Sequence, residues 1–267
     1  MKKVKIDLFR KKIKSLRDLP FFLFMPKKNI VIILSAMRTG STLLKALLAK
    51  APDVSHLPEL DYRVYFRGGR FNFYKKVYYL SPKKIIVLKA PHWFVGSKEL
   101  RILPKLSNIK IIVLTRDVYG VIQSLTRRHK DTECSHLTSI DFLNYWCESY
   151  ESIMNSVDSL KKNLYFVRYE DILNNSVLIT SKLFNFIGSC QKEGVDSYTK
   201  SENFDFKYRI GDGSEKIKSL KVQRNNRAEV NNKKLEKIID NSERARSLRM
   251  KFGYLSLKQH SGKNGIF

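Results

Sequence analysis

Cysteine is scarce: three residues, Cys134, Cys147 and Cys190, spread over a 267-residue chain. None forms a C-x-x-C pair or is matched with paired histidines. Neither a disulfide framework nor a zinc site is therefore indicated, and a reducing, cytoplasmic compartment fits best. Proline and glycine are also few, at 7 and 12, and nowhere form a linker-like run; no internal repeat is visible. Long apolar stretches are missing. The densest near the N-terminus, Phe21-Phe22-Leu23-Phe24-Met25, is too short for a spanning helix and badly placed for a signal-peptide core. Acidic residues are in deficit, with 25 Asp plus Glu against 51 Lys plus Arg and a formal charge of +26. Such a chain attracts anions: nucleotides, nucleic acid, acidic lipid or acidic glycans. The abundance of Asn, Ile, Phe and Tyr beside the lysines is equally compatible with a coding bias.

What is present points to one α/β domain. A hydrophobic content of 43% with 12% aromatics excludes a disordered chain, and the length allows a sizeable core. Near-continuous apolar runs at Ile30–Leu34, Ile85–Leu88, Ile109–Leu114 and Leu164–Val167 read as buried strands. Between them, Thr42–Lys50, Ser97–Leu103, Val118–Arg128, Ser139–Lys161 and Val177–Ile187 read as helices. The alternation predicts a parallel sheet covered on both faces. From about Tyr198 the chain turns polar and basic, as a long loop, before a closing helix from Lys233 to Phe252 that stops near Gly253. Residues 1–28 form a separate basic segment. Its Val4, Ile6, Leu8, Phe9, Ile13 and Leu16 make it amphipathic, suited to packing on the domain or to peripheral contact with an anionic membrane surface. Residues 29–267 make up the single domain.

Four stretches carry chemistry. Ser35-Ala36-Met37-Arg38-Thr39-Gly40-Ser41-Thr42 joins a buried strand to the leucine-rich start of a helix. Backbone amides at a helix N-terminus and the hydroxyls of Thr39, Ser41 and Thr42 suit a phosphate. Gly40 permits close approach, and Arg38 adds a charge able to grip two oxygens. The Gly-Lys-Ser/Thr ending of nucleoside-triphosphate loops is absent. A second strand ends in Arg116-Asp117, with Ser124 about two helical turns on, placed to share a ligand with Arg116. A third strand ends with Lys89, followed by Ala90-Pro91-His92. The fourth, Leu164 to Gly188, runs from strand through Arg168-Tyr169-Glu170-Asp171 into a helix. Two strand-end phosphate sites in one sheet suggest a ligand with two separated phosphates.

Taken in order, these stretches resemble the sulfotransferases that use PAPS (3′-phosphoadenosine-5′-phosphosulfate), from about Ile30 to Gly188. Their 5′-phosphosulfate loop is similar to Arg38-Thr39-Gly40-Ser41-Thr42-Leu43-Leu44. Their 3′-phosphate element is similar to Arg116-Asp117 with Ser124, and their later strand and helix to the Arg168–Asp171 stretch, which includes Tyr169. The resemblance implies a three-layer, P-loop-like fold with a central parallel sheet flanked by helices. It also implies PAPS as cosubstrate, PAP (3′,5′-phosphoadenosine phosphate) as product, no metal, and in-line sulfuryl transfer to a hydroxyl or amine. The match is best to Golgi-type and bacterial carbohydrate and tyrosyl-protein sulfotransferases, which points to a sugar or glycan acceptor. Glu59 stands where the tyrosyl-protein group places its base. His92 lies one position later than the histidine of cytosolic small-molecule enzymes, and His56 and Asp61 are further candidates. Lys89 would stabilise the leaving phosphate, and Lys216, Lys218 or Lys221 would close over the nucleotide. The aromatic stretch Asp61 to Tyr79 falls where acceptor-binding insertions occur, although its rings also suit core packing. Two other readings stay open: a nucleic-acid or anionic-surface binding protein, and a P-loop small-molecule kinase. The placing of the basic residues at strand ends, rather than along one helix stripe, disfavours nucleic acid as the partner.

Overall fold

Alternate residues of each strand point to opposite faces of a sheet, so a strand apolar at every position must be covered on both. The computed structural model of the protein describes residues 28–55, 57, 69–91, 100, 103, 109–129, 135–199, 219–223 and 232–255. Among the described residues four strands, β1 (Asn29–Ser35), β2 (Ile85–Pro91), β3 (Ile109–Thr115) and β4 (Leu164–Arg168), form one sheet in the order β2-β1-β3-β4. Every pairing is parallel, with Asn29 opposite Ile85, Ile30 opposite Ile109 and Thr115 opposite Arg168.

The helices in chain order are α1 (Ser41–Leu48), α2 (Gly69–Tyr78), α3 (Val118–His129), α4 (Ser139–Val157), α5 (Tyr169–Asn174), α6 (Ser176–Ile187), α7 (Lys233–Asp240) and α8 (Glu243–Lys251). Two cores follow from the strand alternation. Ile30, Ile32 and Leu34 of β1 pack with Ile111 and Val113 of β3 against α2, α3, α4, α7 and α8. Val31 and Ile33 pack with Ile112 and Leu114 against α1, α5 and α6. Each such fully buried aliphatic side chain contributes about 1.5–3 kcal/mol. The result is the expected three-layer α/β arrangement.

Parallel strands bring all their carboxyl ends to one edge, and the helices that follow begin there. That edge gathers the N-termini of α1, α3 and α5, whose dipoles favour anions. At the opposite edge, lysines at the strand starts donate to carbonyls at or just past helix carboxyl ends. Lys28 donates to the carbonyls of Tyr78 (2.9 Å) and Ser81, and Lys110 donates to the Phe186 carbonyl.

Trp146, fully buried on α4, packs edge-on against Tyr150 (centroids 5.1 Å apart) and Phe252 (6.3 Å). Its Nε1–H donates to the Arg116 carbonyl at 3.1 Å. Trp146→Ala is expected to cost about 3–5 kcal/mol, read as a lower urea midpoint with an unchanged slope.

Two helices differ from expectation. The closing helix is interrupted at Asn241–Ser242, because the Ser242 hydroxyl accepts the Ala245 N–H and starts α8 afresh. The helix expected over Ser139–Lys161 ends at Val157 and passes into a 3-10 turn, Asp158–Asn163, with Leu160 off helical geometry. Of the aromatic stretch, Phe73 and Val77 on α2 serve the core, whereas Tyr79 is 66% exposed. The helix expected over Ser97–Leu103 lies outside the described residues except for Leu100 and Leu103, both buried. The amphipathic N-terminal segment also lies outside them. No helix among the described residues is long and apolar enough to cross a membrane.

Candidate functional site

The β1–α1 loop is bent by two residues of positive φ, Arg38 (63°) and Gly40 (87°). A left-handed arginine is uncommon and is held here from several sides. The Thr39 hydroxyl donates to the Ala36 carbonyl at 2.8 Å, and the Met37 N–H donates to Tyr145 Oη at 2.9 Å. Burial pushes the Tyr145 phenol up to about 12, so it remains protonated. Thr39 is thus fully buried, with its hydroxyl facing the loop interior. Leu43, on the inner side of α1, is 6% exposed and belongs to the core.

Gly40 caps α1 without any side-chain bond to the first-turn amides, and no acidic residue sits in that turn. Those N–H groups and the positive helix end form an anion cradle. A Cβ on Gly40 would come within 2.4 Å of the Tyr169 ring. Glycine is needed there for its left-handed φ and for the ring beside it.

The strand order places β1 between β2 and β3, so basic residues flank the loop on both sides. On the β2 side, Lys89 is 5% exposed and its Nζ donates to Thr42 Oγ1 at 2.7 Å. On the β3 side, Arg38 Nε donates to Ser124 Oγ at 3.0 Å, and Arg116 Nη1 donates to the Arg38 carbonyl at 2.9 Å. The Arg116 guanidinium lies 4.7 Å from the Tyr169 ring centroid, a cation–π contact. Among the described residues no carboxylate forms an ion pair with Arg116. Arg38, Gly40, Arg116, Ser124 and Tyr169 therefore form one cluster, with Thr42 and Lys89 on its far side. Ser41 is nearly buried at the helix start. Glu59, His92, His56, Asp61, Lys216 and Lys218 lie outside the described residues.

Several residues of this edge escaped the sequence reading of roles. Lys45, one turn into α1, is fully buried; its place inside Leu43-Leu44-Lys45-Ala46-Leu47 was the available signal. Glu170 was noted only as part of a motif. Its Oε1 accepts the Asp117 N–H at 3.1 Å and its Oε2 accepts from Tyr254 Oη at 3.0 Å. Burial raises the Glu170 carboxyl above its ordinary value, opposed by those bonds and by Arg116. Burial and the neighbouring Glu170 raise the Tyr254 phenol well above its ordinary range. Arg249 of α8 pairs with Asp117 Oδ2 at 3.1 Å. Asp117 Oδ1 accepts the Tyr119 N–H at 3.0 Å and caps α3.

An uncapped helix start lies between a buried lysine and an arginine–serine pair at the carboxyl edge of a parallel sheet, an arrangement able to receive an anion. The sulfotransferase domain family matches residues 28–241, and the chain belongs to that family. A sulfotransferase domain from the curacin biosynthetic pathway shares the fold, with a TM-score of 0.59 and 18% identity over 86% of this chain and 99% of that one. A sulfotransferase from Alicyclobacillus acidocaldarius matches at 11% identity over 67% of this chain and 87% of that one, with a TM-score of 0.48. A mouse sulfotransferase complexed with PAP matches at 16% identity over 63% of this chain and 62% of that one, with a TM-score of 0.42. No curated protein sequence matches significantly.

Proposed function

We propose that this sulfotransferase takes its sulfuryl group from PAPS and passes it to a hydroxyl or amine of a carbohydrate or glycan, with a carboxylate as base. The observation that carries the reading is the flanking of one amide cradle by Lys89–Thr42 on one side and by Arg38, Ser124 and Arg116 on the other. This donor set fits a nucleotide with two separated phosphates. The α1 amides, Arg38 and Lys89 would hold the 5′-phosphosulfate, and Arg116 and Ser124 the 3′-phosphate. Tyr169 borders the cradle beside Gly40. When bound, PAPS supplies an activated sulfuryl group and a phosphate leaving group.

The chain's own part is positioning and charge stabilisation. Lys89 and the loop amides would stabilise the negative charge that grows on the leaving phosphate. Glu59 takes the acceptor's proton, with His92 as the competing base. The carbohydrate acceptor rests on the Tyr, Phe and Arg content of Asp61 to Tyr79 and on the family resemblance. A cytoplasmic setting, with the basic N-terminal segment touching an anionic membrane face, rests on sequence chemistry alone.

The test is a nucleotide titration of the full chain. PAP at one hundred times its Kd is expected to stabilise the fold by about 2.7 kcal/mol, seen as a raised melting temperature, with AMP at equal concentration giving less. No effect of PAP, together with tight, salt-sensitive DNA binding, would favour the nucleic-acid reading. Stronger protection by ATP with magnesium would favour a kinase.

A further inference from the structure

The peptide unit joining Arg116 to Asp117 is gripped on both edges by side chains. Its carbonyl, on Arg116, accepts from Trp146 Nε1 at 3.1 Å. Its N–H, on Asp117, donates to Glu170 Oε1 at 3.1 Å. The plane of this peptide sets the direction in which the Arg116 side chain leaves the strand end, because φ and ψ are the only soft backbone torsions on either side of it. The two residues that open α5 both act on this point. Tyr169 lies against the guanidinium and Glu170 holds the peptide behind it.

The carboxylate is itself held. Tyr254 Oη donates to Glu170 Oε2 at 3.0 Å and lies 3.1 Å from Thr115 Oγ1. The chain leading to Tyr254 is held as well: Arg168 Nη1 donates to the Gly253 carbonyl (2.8 Å), the Tyr254 N–H donates to the Arg249 carbonyl (2.8 Å), and Arg249 pairs with Asp117. Partial burial of an ionisable carboxyl is unfavourable in itself, and neither the apolar core nor the strand pairing needs a carboxylate here.

We propose that Glu170 is a positioning residue for recognition of the 3′-phosphate, orienting Arg116 through the Arg116–Asp117 peptide, and that Tyr254 keeps the Glu170 carboxylate in place. The proposal rests on the PAPS reading and adds to it the residues that set nucleotide discrimination.

Calorimetry on the full chain measures affinity for PAP and for AMP, which lacks the 3′-phosphate, at one salt concentration. Glu170→Ala is expected to weaken PAP about tenfold or more and to leave AMP within about twofold. The PAPS KM should rise with little change in kcat. Glu170→Gln retains an acceptor oxygen for the Asp117 N–H and should recover most of the loss. In the double variant with Arg116→Ala the losses should not add, because both act on one contact. Should Glu170→Ala fail to fold, Tyr254→Phe serves instead, with a several-fold loss of preference for PAP over AMP expected. Equal losses for PAP and AMP, or additive losses in the double variant, overturn the positioning role and leave the PAPS reading intact. Native protein with no preference for PAP over AMP overturns both together.

Discussion

Replacing Lys89 by alanine is expected to slow sulfuryl transfer by about two to three orders of magnitude, with a smaller loss in PAP affinity. Lys89 ends the apolar run of β2 with its side chain 5% exposed and its ammonium 2.7 Å from Thr42 Oγ1 at the start of α1. A cation fixed in a largely dry place acts more strongly on developing charge than the same cation in water. It also needs no reorganisation during the reaction. Its effect should therefore be largest where charge is largest, on the phosphate oxygen as the sulfuryl group departs. Steady-state rates with labelled PAPS and calorimetric PAP binding separate the two contributions. If kcat is unchanged and only KM rises, Lys89 binds ground state and transition state alike and has no special part in the chemistry. Arginine should rescue poorly, because a planar fork does not replace a compact ammonium beside Thr42.

Glu59→Gln is expected to keep PAP affinity and to lose about a hundredfold to ten-thousandfold in turnover, the usual contribution of a general base. Upstream of it, Val54 and Ser55 lie beside β2. Val54 pairs in parallel with Ile85, and the Ser55 N–H donates to the Ile85 carbonyl at 2.9 Å. The Ser55 hydroxyl accepts the Val87 N–H at 3.0 Å. A rate profile against pH for the native enzyme and for Glu59→Gln checks the assignment: the acid limb should disappear with the carboxylate. Turnover retained in Glu59→Gln but lost in His92→Ala would move the role to the histidine.

Strands β1, β2 and β3 were legible in the sequence because they are buried on both faces; β4, also expected as a buried strand, is buried only at Val167, with Phe166 44% exposed. Ile30–Leu34 is apolar at every position and Ile109–Leu114 at every position but Lys110, as a strand covered on two sides requires. The strand-to-helix turns at the carboxyl edge were legible for a related reason: each is a local pattern, readable at Arg38–Thr42 and at Arg116–Ser124. The contacts that hold this edge were not legible. Glu170, Asp117, Arg249 and Tyr254 are far apart in the chain, and nothing in a single sequence says which carboxylate meets which hydroxyl. The left-handed backbone of Arg38 was hidden for a different reason, since arginine carries no intrinsic preference for that region. The break at Asn241–Ser242 was readable in principle, from a serine that caps, but the basic periodicity on both sides masked it.

The strand order has a consequence for how the protein is made. A ribosome delivers β1 and then β2, which are neighbours in the finished sheet. β3 then joins the still open side of β1, and β4 the open side of β3. None of the described strands has to be threaded between two that are already paired, so these four can assemble outward in the order of synthesis. The last described stretch to emerge, Arg249 to Tyr254, is the one that ties down Asp117 and Glu170. The nascent chain can thus carry all four described strands before the contacts at their carboxyl edge are finished.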